Sequence, residues 1–151
     1  MKPIYRFAQA KRILSLDADF FHAESGSLYY AREFAKGRRV TKATDPMNRL
    51  YVAESAFTLT GSMADHRLRS APSRILHIAC QIARELGIPQ AGGVDKVTDA
   101  KTLSWIKPLV ADLKAHKGSS MVLAGSRQPA AVHHLALAIN LALGNIGEGK
   151  P

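Results

Sequence analysis

The stretch Arg12-Ile13-Leu14-Ser15-Leu16-Asp17-Ala18-Asp19-Phe20 decides how the rest of the chain is interpreted. Its short apolar run stops on two acidic residues that lie one position apart. Such a run is typical of a strand that is buried on both faces of a parallel sheet. In open parallel sheets, ligands bind beyond the carboxyl ends of the strands. The stretch therefore predicts a first strand over residues 12–17, with Asp17 and Asp19 at the edge where a site would lie.

A second stretch repeats this pattern. In residues 49–55, the apolar and aromatic residues that follow Arg49 end at Glu54 and Ser55. Between the two stretches, hydroxyl residues precede a pattern that indicates a short helix ending at Gly37, and residues 38–48 are typical of a loop. Strand, helix and strand form the βαβ unit, whose strands are parallel. We therefore expect Glu54 and Ser55 beside the first acidic pair.

The later part of the chain continues the alternation of strands and helices. The patterns predict a short strand near residues 66–68, a helix from Pro72 closed by Gly87, a connection over residues 90–98, a helix capped by Asp99, a strand over residues 120–125 and a helix from Pro129. Pro108 should kink the helix after Asp99 or split off its first turns, because proline lacks the amide donor. The alternation predicts an α/β fold, a Rossmann-like three-layer domain with a mostly parallel sheet of about four strands flanked by helices.

A glycine turn follows the last strand and leads directly into the last helix. Gly125, Ser126 and Arg127 precede Pro129, which suits the first position of a helix. Free backbone donors at such a helix start, with Arg127 beside them, could bind a phosphate or a carboxylate. The complete glycine patterns of dinucleotide-binding and P-loop sites are missing. An ordinary strand-helix turn with a surface arginine is therefore an open alternative.

Composition sets limits on the class of protein. A chain of 151 residues with 46% apolar and 22% charged residues suits one globular domain. The single cysteine, Cys80, excludes an internal disulfide and a four-thiolate iron-sulfur cluster within this sequence. Because Cys80 lies in an apolar helical pattern, we expect a packed core thiol. No apolar run is long enough to span a membrane, and the amino-terminal residues do not resemble a secretory signal.

The net charge of +9 is the strongest compositional feature. A basic surface can attract nucleic acid, anionic lipid or an acidic partner. The basic residues are scattered, and no aromatic residues are interleaved with them to stack on bases. This pattern favours a solvated face or a partner surface over a nucleic-acid module.

No complete catalytic or metal-binding constellation is present in the sequence. Ser62, Asp65 and His66 suggest a hydrolase, but the nucleophile-elbow pattern and a strand-to-helix turn at the serine are both missing. His133 and His134 are adjacent on a helix and point in different directions, so they cannot chelate one metal ion together. We predict no catalytic residue and no metal ligand.

Several stretches, taken in order, carry a resemblance to one family. They are Asp17-Ala18-Asp19-Phe20, Val52-Ala53-Glu54-Ser55, Met63-Ala64-Asp65-His66, Ser70-Ala71-Pro72-Ser73, Val122 to Gly125 and Leu143-Gly144-Asn145-Ile146-Gly147. This series resembles the molybdopterin oxidoreductases of the dimethyl sulfoxide reductase and formate dehydrogenase type. The resemblance implies a dinucleotide crevice, and its candidate residues are Asp17, Asp19, Glu54, Ser55, Ser73, Gly125, Ser126 and Arg127.

A narrower likeness exists within that family. The phrases that carry it are residues 14–20, 31–38, 47–52 and 58–68. They look like the molybdopterin-like region of the large iron-sulfur subunit of bacterial alternative complex III, a quinol-oxidising membrane assembly. The likeness implies that residues 1–151 are one domain of a longer protein, on the periplasmic face of the bacterial inner membrane, with the iron-sulfur clusters elsewhere. The partners would be other domains and subunits of the respiratory complex, with no nucleic acid and no membrane span in this domain.

The sequence departs from the cofactor-binding members at the guanine-binding positions. Those members carry an aspartate after the second strand and another at the next helix start, where this chain has Glu54 and Ser73. Loss of a charge-assisted contact costs about 1.5 to 3 kcal/mol. We therefore expect a vestigial crevice and no cofactor in this domain. The alternative is a molybdopterin guanine dinucleotide-binding domain of an active molybdenum oxidoreductase.

Overall fold

The structure is a computed structural model that describes residues 4–89 and 93–151. Its strands are β1 (Arg12–Leu16), β2 (Arg49–Glu54), β3 (His66–Arg69) and β4 (Ser120–Ala124). Its α-helices are α1 (Ser27–Lys36), α2 (Leu59–Ser62), α3 (Ile75–Glu85), α4 (Ala100–Ala115) and α5 (Ala130–Ala142), and short 3-10 helices cover Phe7–Gln9 and Pro72–Arg74.

All four strands form one parallel sheet in the order β3-β2-β1-β4. The central strand β1 places Leu14 opposite Tyr51 of β2 and opposite Val122 of β4. The predicted parallel neighbourhood of the first two strands is thus confirmed. The carboxyl ends of β1, β2 and β4 meet at the same edge, as the sequence patterns predicted.

Helices cover both faces of the sheet. On one face, α3, α4 and α5 bury apolar side chains against alternate strand residues such as Leu14, Tyr51 and Val122. On the other face, α1 and the amino-terminal 3-10 helix build a smaller aromatic core, in which the rings of Phe7 and Phe20 lie 4.5 Å apart. The predicted three-layer, Rossmann-like α/β fold is confirmed. Cys80 is 2% exposed in the larger core, as expected of a packed thiol.

Local differences from the predictions have physical reasons. The segment before β3 contains the one-turn helix α2, which the sequence patterns did not predict. Pro108 does not split α4, which continues through it as one helix. Because Pro108 lies on the exposed side, water can bond the carbonyl that loses its donor. The first three residues of the predicted 90–98 connection lie outside the described residues, and residues 93–98 form neither helix nor strand.

A polar cluster ties the amino ends of two strands to α4. Asp112 accepts hydrogen bonds from Arg49 at 2.7 Å and from the Tyr51 hydroxyl at 2.7 Å, and its carboxylate lies 3.1 Å from Nε of Arg12. Burial alone would raise the pKa of Asp112, but the hydrogen bonds from Tyr51 and Arg49 and the positive charge of Arg12 outweigh burial and lower the pKa. The cluster fixes α4 against the start of the sheet.

The longest helix, α4, has 16 residues. Within residues 4–89 and 93–151, no helix combines the length and the apolar character that crossing a bilayer requires.

Candidate functional site

Asp17 connects the end of β1 to the loops that follow both neighbouring strands. It has a left-handed backbone conformation with φ of 58°, which an aspartate tolerates better than most residues. One carboxylate oxygen accepts hydrogen bonds from the Ser55 amide at 3.2 Å and hydroxyl at 3.5 Å. The other accepts a hydrogen bond from Nε2 of Gln128 at 2.7 Å. Both oxygens of Asp17 therefore already accept hydrogen bonds from the protein itself.

Asp19 is bound to the helix that the sequence patterns missed. Its Oδ1 accepts hydrogen bonds from the Thr60 amide at 3.1 Å and from the Thr60 hydroxyl at 2.8 Å. Oγ1 of Thr60 in turn accepts a hydrogen bond from the Phe21 amide at 3.2 Å. These contacts hold α2 against the loop after β1, so Asp19 acts as a tether between two loops.

Glu54 is a buried carboxylate, only 1% exposed, at the end of β2. Its oxygens accept hydrogen bonds from Nε of Arg67 at 2.5 Å and from Oγ1 of Thr58 at 2.6 Å. The first turn of α2 packs tightly on it, because a Cβ added to Gly61 would lie 1.8 Å from a carboxylate oxygen of Glu54. A buried charge needs such a partner to offset its desolvation.

The glycine turn after β4 packs directly on the turn after β1. The Gly125 amide donates to the Leu16 carbonyl at 2.9 Å, and a Cβ at Gly125 would lie 1.9 Å from the Asp17 carbonyl oxygen. The Ser126 amide, a donor expected to be free for a phosphate, donates to a Glu24 carboxylate oxygen at 2.9 Å. The two turns are therefore in direct contact at Gly125, and the Ser126 amide already has a carboxylate partner.

We call this set of contacts the carboxyl-edge clasp. It comprises Asp17, Asp19 and Glu54 together with their partners Ser55, Thr58, Thr60, Arg67 and Gln128. The clasp links the loops after β1, β2 and β4 and the strand β3 through hydrogen bonds to charged groups.

The sequence-predicted site residues divide into two groups. Asp17, Asp19, Glu54 and Ser55 take part in the clasp, and Gly125 and Ser126 pack beside it. Ser73 is exposed in the 3-10 helix beyond β3, and Arg127 is exposed after the glycine turn. Within the described residues, no hydrogen bond joins the side chain of either one to the clasp.

Gln128, Thr60 and Arg67 were missed in the sequence. The strand pattern could have pointed to Arg67 as a partner of Glu54. Arg67 of β3 pairs with Val52 of β2, and Glu54 lies two residues after Val52 on the same face of β2. No sequence pattern pointed to Thr60 or Gln128, because their hydrogen-bond partners, Asp19 and Asp17, lie 41 and 111 residues away in the sequence.

The geometry allows a test of whether a guanine dinucleotide fits these residues. Guanine would need a free carboxylate acceptor, and its pyrophosphate would need free backbone donors at the glycine turn. Glu54 is buried against Arg67, Asp17 is bonded through both oxygens, and the Ser126 amide is bonded to Glu24. The residues in this arrangement do not fit the dinucleotide.

A hydrolase triad is not assembled either. Both Asp65 oxygens are held by Arg38, at 2.8 and 2.6 Å, while the His66 ring stacks on Tyr51 with centroids 4.7 Å apart. Burial would raise the pKa of Asp65, but hydrogen bonds from Arg38 and the Leu50 amide outweigh burial and lower the pKa. In the described part of the chain, no three metal-ligating side chains gather into a metal site.

Fold and site together define a Rossmann-like α/β domain whose carboxyl edge is internally hydrogen-bonded. No protein-family model matches the sequence, and no curated protein matches it.

Proposed function

We propose that this chain is a non-catalytic molybdopterin-oxidoreductase-like domain of a respiratory iron-sulfur subunit. In this role the domain is a scaffold for electron transfer in a quinol-oxidising complex. The observation that carries the proposal is the carboxyl-edge clasp, which uses the acidic residues of the family's crevice as structural groups. The ordered motif series along the sequence supports the family, and the fold is compatible with it.

The energetics of the clasp favour a scaffold over a cofactor site. Each hydrogen bond to a charged group contributes about 1.5 to 3 kcal/mol. A dinucleotide entering the crevice would have to break the bond from Gln128 to Asp17 and separate the Gly125 turn from the Asp17 carbonyl. It would also have to replace the Arg67 partner of Glu54 to use that carboxylate. Breaking these contacts would cost free energy and would weaken binding of the nucleotide.

The proposal extends to location and partners. As in the resembling subunit, the domain would lie on the periplasmic face of the bacterial inner membrane. It would contact other domains and subunits of the complex, and the iron-sulfur clusters would lie outside this sequence, whose single cysteine cannot hold one.

Metal and pterin analysis of the full-length parent protein tests this proposal. We expect much less than one molybdenum and one pterin per chain. Stoichiometric molybdenum and pterin would overturn the scaffold role and support the active molybdenum enzyme.

Titration calorimetry of this chain with guanosine diphosphate is the second test. The scaffold predicts no binding heat, and Glu54→Ala should change nothing in the titration. Saturable heat that Glu54→Ala abolishes, while the variant keeps the circular dichroism spectrum of the parent chain, would favour a cofactor-binding domain.

A further inference from the structure

The outer face of α5 lacks charge. The helix spans Ala130–Ala142 and contains no aspartate, glutamate, lysine or arginine. Its exposed residues are Ala130, Ala131, His133, His134, Leu137, Leu141 and Ala142. The outer face of α4, by contrast, carries the exposed lysines Lys101, Lys107 and Lys114. Helices with one face in water normally place charged residues there, and a helix that is apolar all round is normally covered.

A groove lies beside this face, along the outer edge of β4. It has a volume of about 690 Å³, and Ile4, Tyr5, Leu137 and Ile146 give it apolar walls. Ile4 is 80% exposed and Leu137 is 52% exposed. Leu141, 60% exposed, follows Leu137 by one helical turn and extends the apolar surface. We call this surface the β4 groove.

Two residues of the strand edge inside the β4 groove, Ser120 and Val122, are already hydrogen-bonded to side chains. Asn140 accepts a hydrogen bond from the Val122 amide at 3.0 Å and donates one to the Val122 carbonyl at 2.7 Å. Asn145 accepts hydrogen bonds from the Ser120 amide at 3.4 Å and hydroxyl at 3.1 Å. A partner strand would have to displace both asparagines, so side-chain packing by a helix suits this groove better than strand addition.

The basic residues around the β4 groove favour a partner with acidic side chains. Arg6 and Lys150 line it together with His133 and His134, and none of the described residues that line it is acidic. A second copy of the chain, with its net charge of +9, would bring like charges together across this surface. Acidic side chains flanking an apolar stripe would complement it.

We propose that the β4 groove binds an amphipathic helix of another polypeptide, with an apolar stripe that packs on Leu137 and Ile146 and acidic residues that face Arg6 and Lys150. This proposal does not depend on the function proposed above, because it rests on a different edge of the sheet.

Fluorescence anisotropy with a labelled synthetic helix tests the proposal. The probe is a peptide of about 18 residues with leucines at positions i, i+3, i+4 and i+7 and glutamates on both margins of that stripe. The matched control peptide has lysines in place of the glutamates. We expect the acidic peptide to bind with a Kd below about 100 µM and the basic peptide to bind at least about tenfold more weakly.

Variants of the chain locate the binding surface. Leu137→Gln and Lys150→Glu should each weaken binding of the acidic peptide by about tenfold. Leu28→Gln is the matched control, because Leu28 is 87% exposed on α1, on the opposite face of the sheet, and should leave binding unchanged.

Several outcomes would overturn the proposal. They are a Kd above about 100 µM for the acidic peptide, a preference of less than about tenfold over the basic peptide, or a loss with Leu28→Gln as large as that with Leu137→Gln. A dimer in sedimentation equilibrium that Leu137→Gln dissociates would assign the groove to a second copy instead. Tighter binding to phosphatidylglycerol vesicles than to the peptide, lost in Leu137→Gln, would assign it to a membrane.

Discussion

Removal of the partner of the buried Glu54 carboxylate should be the most damaging polar change at the carboxyl edge. Arg67→Met keeps a side chain of similar length and apolar stem but deletes the guanidinium whose Nε lies 2.5 Å from Glu54. Breaking a buried ion pair from one side costs about 3 to 5 kcal/mol, because the remaining charge is left without a partner. The Arg67 side chain is 25% exposed, so water can partly replace it, and we expect the lower value, about 3 kcal/mol.

Removal of the charge of Glu54, the other member of the pair, should lower the free energy of unfolding by less. In Glu54→Gln the shape is kept, and the freed Arg67 can reach water, so we expect a loss of about 1.5 kcal/mol. The double variant should lose less than the sum of the two single variants, because it removes both members of the pair and so leaves no buried charge unpaired. Arg69→Met is the control: Arg69 is exposed on the same strand and forms no ion pair within the described residues, and its replacement should cost less than about 0.5 kcal/mol.

Urea denaturation monitored by circular dichroism measures these differences, and calorimetry should show Arg67→Met melting about 9 °C below the parent chain. If Glu54→Gln destabilised as much as Arg67→Met, or if the two changes were additive, the buried ion pair would not be the source of the stability. A loss below about 1 kcal/mol for Arg67→Met would likewise refute the reasoning.

Further predictions concern other parts of the molecule. Gly125→Ala should destabilise by about 3 kcal/mol in urea denaturation because its Cβ would meet the Asp17 carbonyl, whereas Ser126→Ala at the adjacent exposed position should be nearly neutral. The pKa of Asp112 is lowered in the folded chain, so its contribution to stability is complete above its unfolded-state pKa and is lost as pH falls through the folded-state pKa. Asp112→Asn should therefore flatten the loss of stability below about pH 4 and add no new pH dependence above about pH 5. Burial raises the pKa of the Cys80 thiol, so a thiol reagent at about pH 8 should modify it only after urea unfolding; rapid modification of the folded chain would contradict its place in the core.

The parts of the fold that could be predicted from sequence are those set by local patterns. β1 and β4 are short, mostly apolar runs, and the inward residues of α5 recur at helical spacing, so each element could be placed within a residue or two. α2 could not be predicted, because four residues carry too little periodicity. It is held by the Thr58 cap and the bond from Thr60 to Asp19, and the second of these is a tertiary contact.

The position of the candidate site could be predicted from the sequence, but the hydrogen bonding of its carboxylates could not. A strand that ends on an acid puts that acid at the carboxyl edge whatever follows, so Asp17 and Glu54 could be placed from sequence. Whether a carboxylate at that edge is free for a ligand depends on partners that the chain brings from far away. Gln128 reaches Asp17 across 111 residues, and no local pattern encodes that contact.

This distinction is the basis on which we propose a scaffold and not a cofactor site. A crevice that binds an anionic dinucleotide needs unpaired donors and open space at the glycine turn before the ligand arrives, since preorganised donors avoid the cost of rearrangement. Here Gly125 packs on the Asp17 carbonyl, and the Ser126 amide already has an anionic partner in Glu24. If the clasp contributed nothing to stability, Gln128→Ala would open the crevice without lowering the free energy of unfolding. Because the clasp joins three loops through charged groups, the same change should instead destabilise the chain by about 1.5 kcal/mol or more and should not create nucleotide binding.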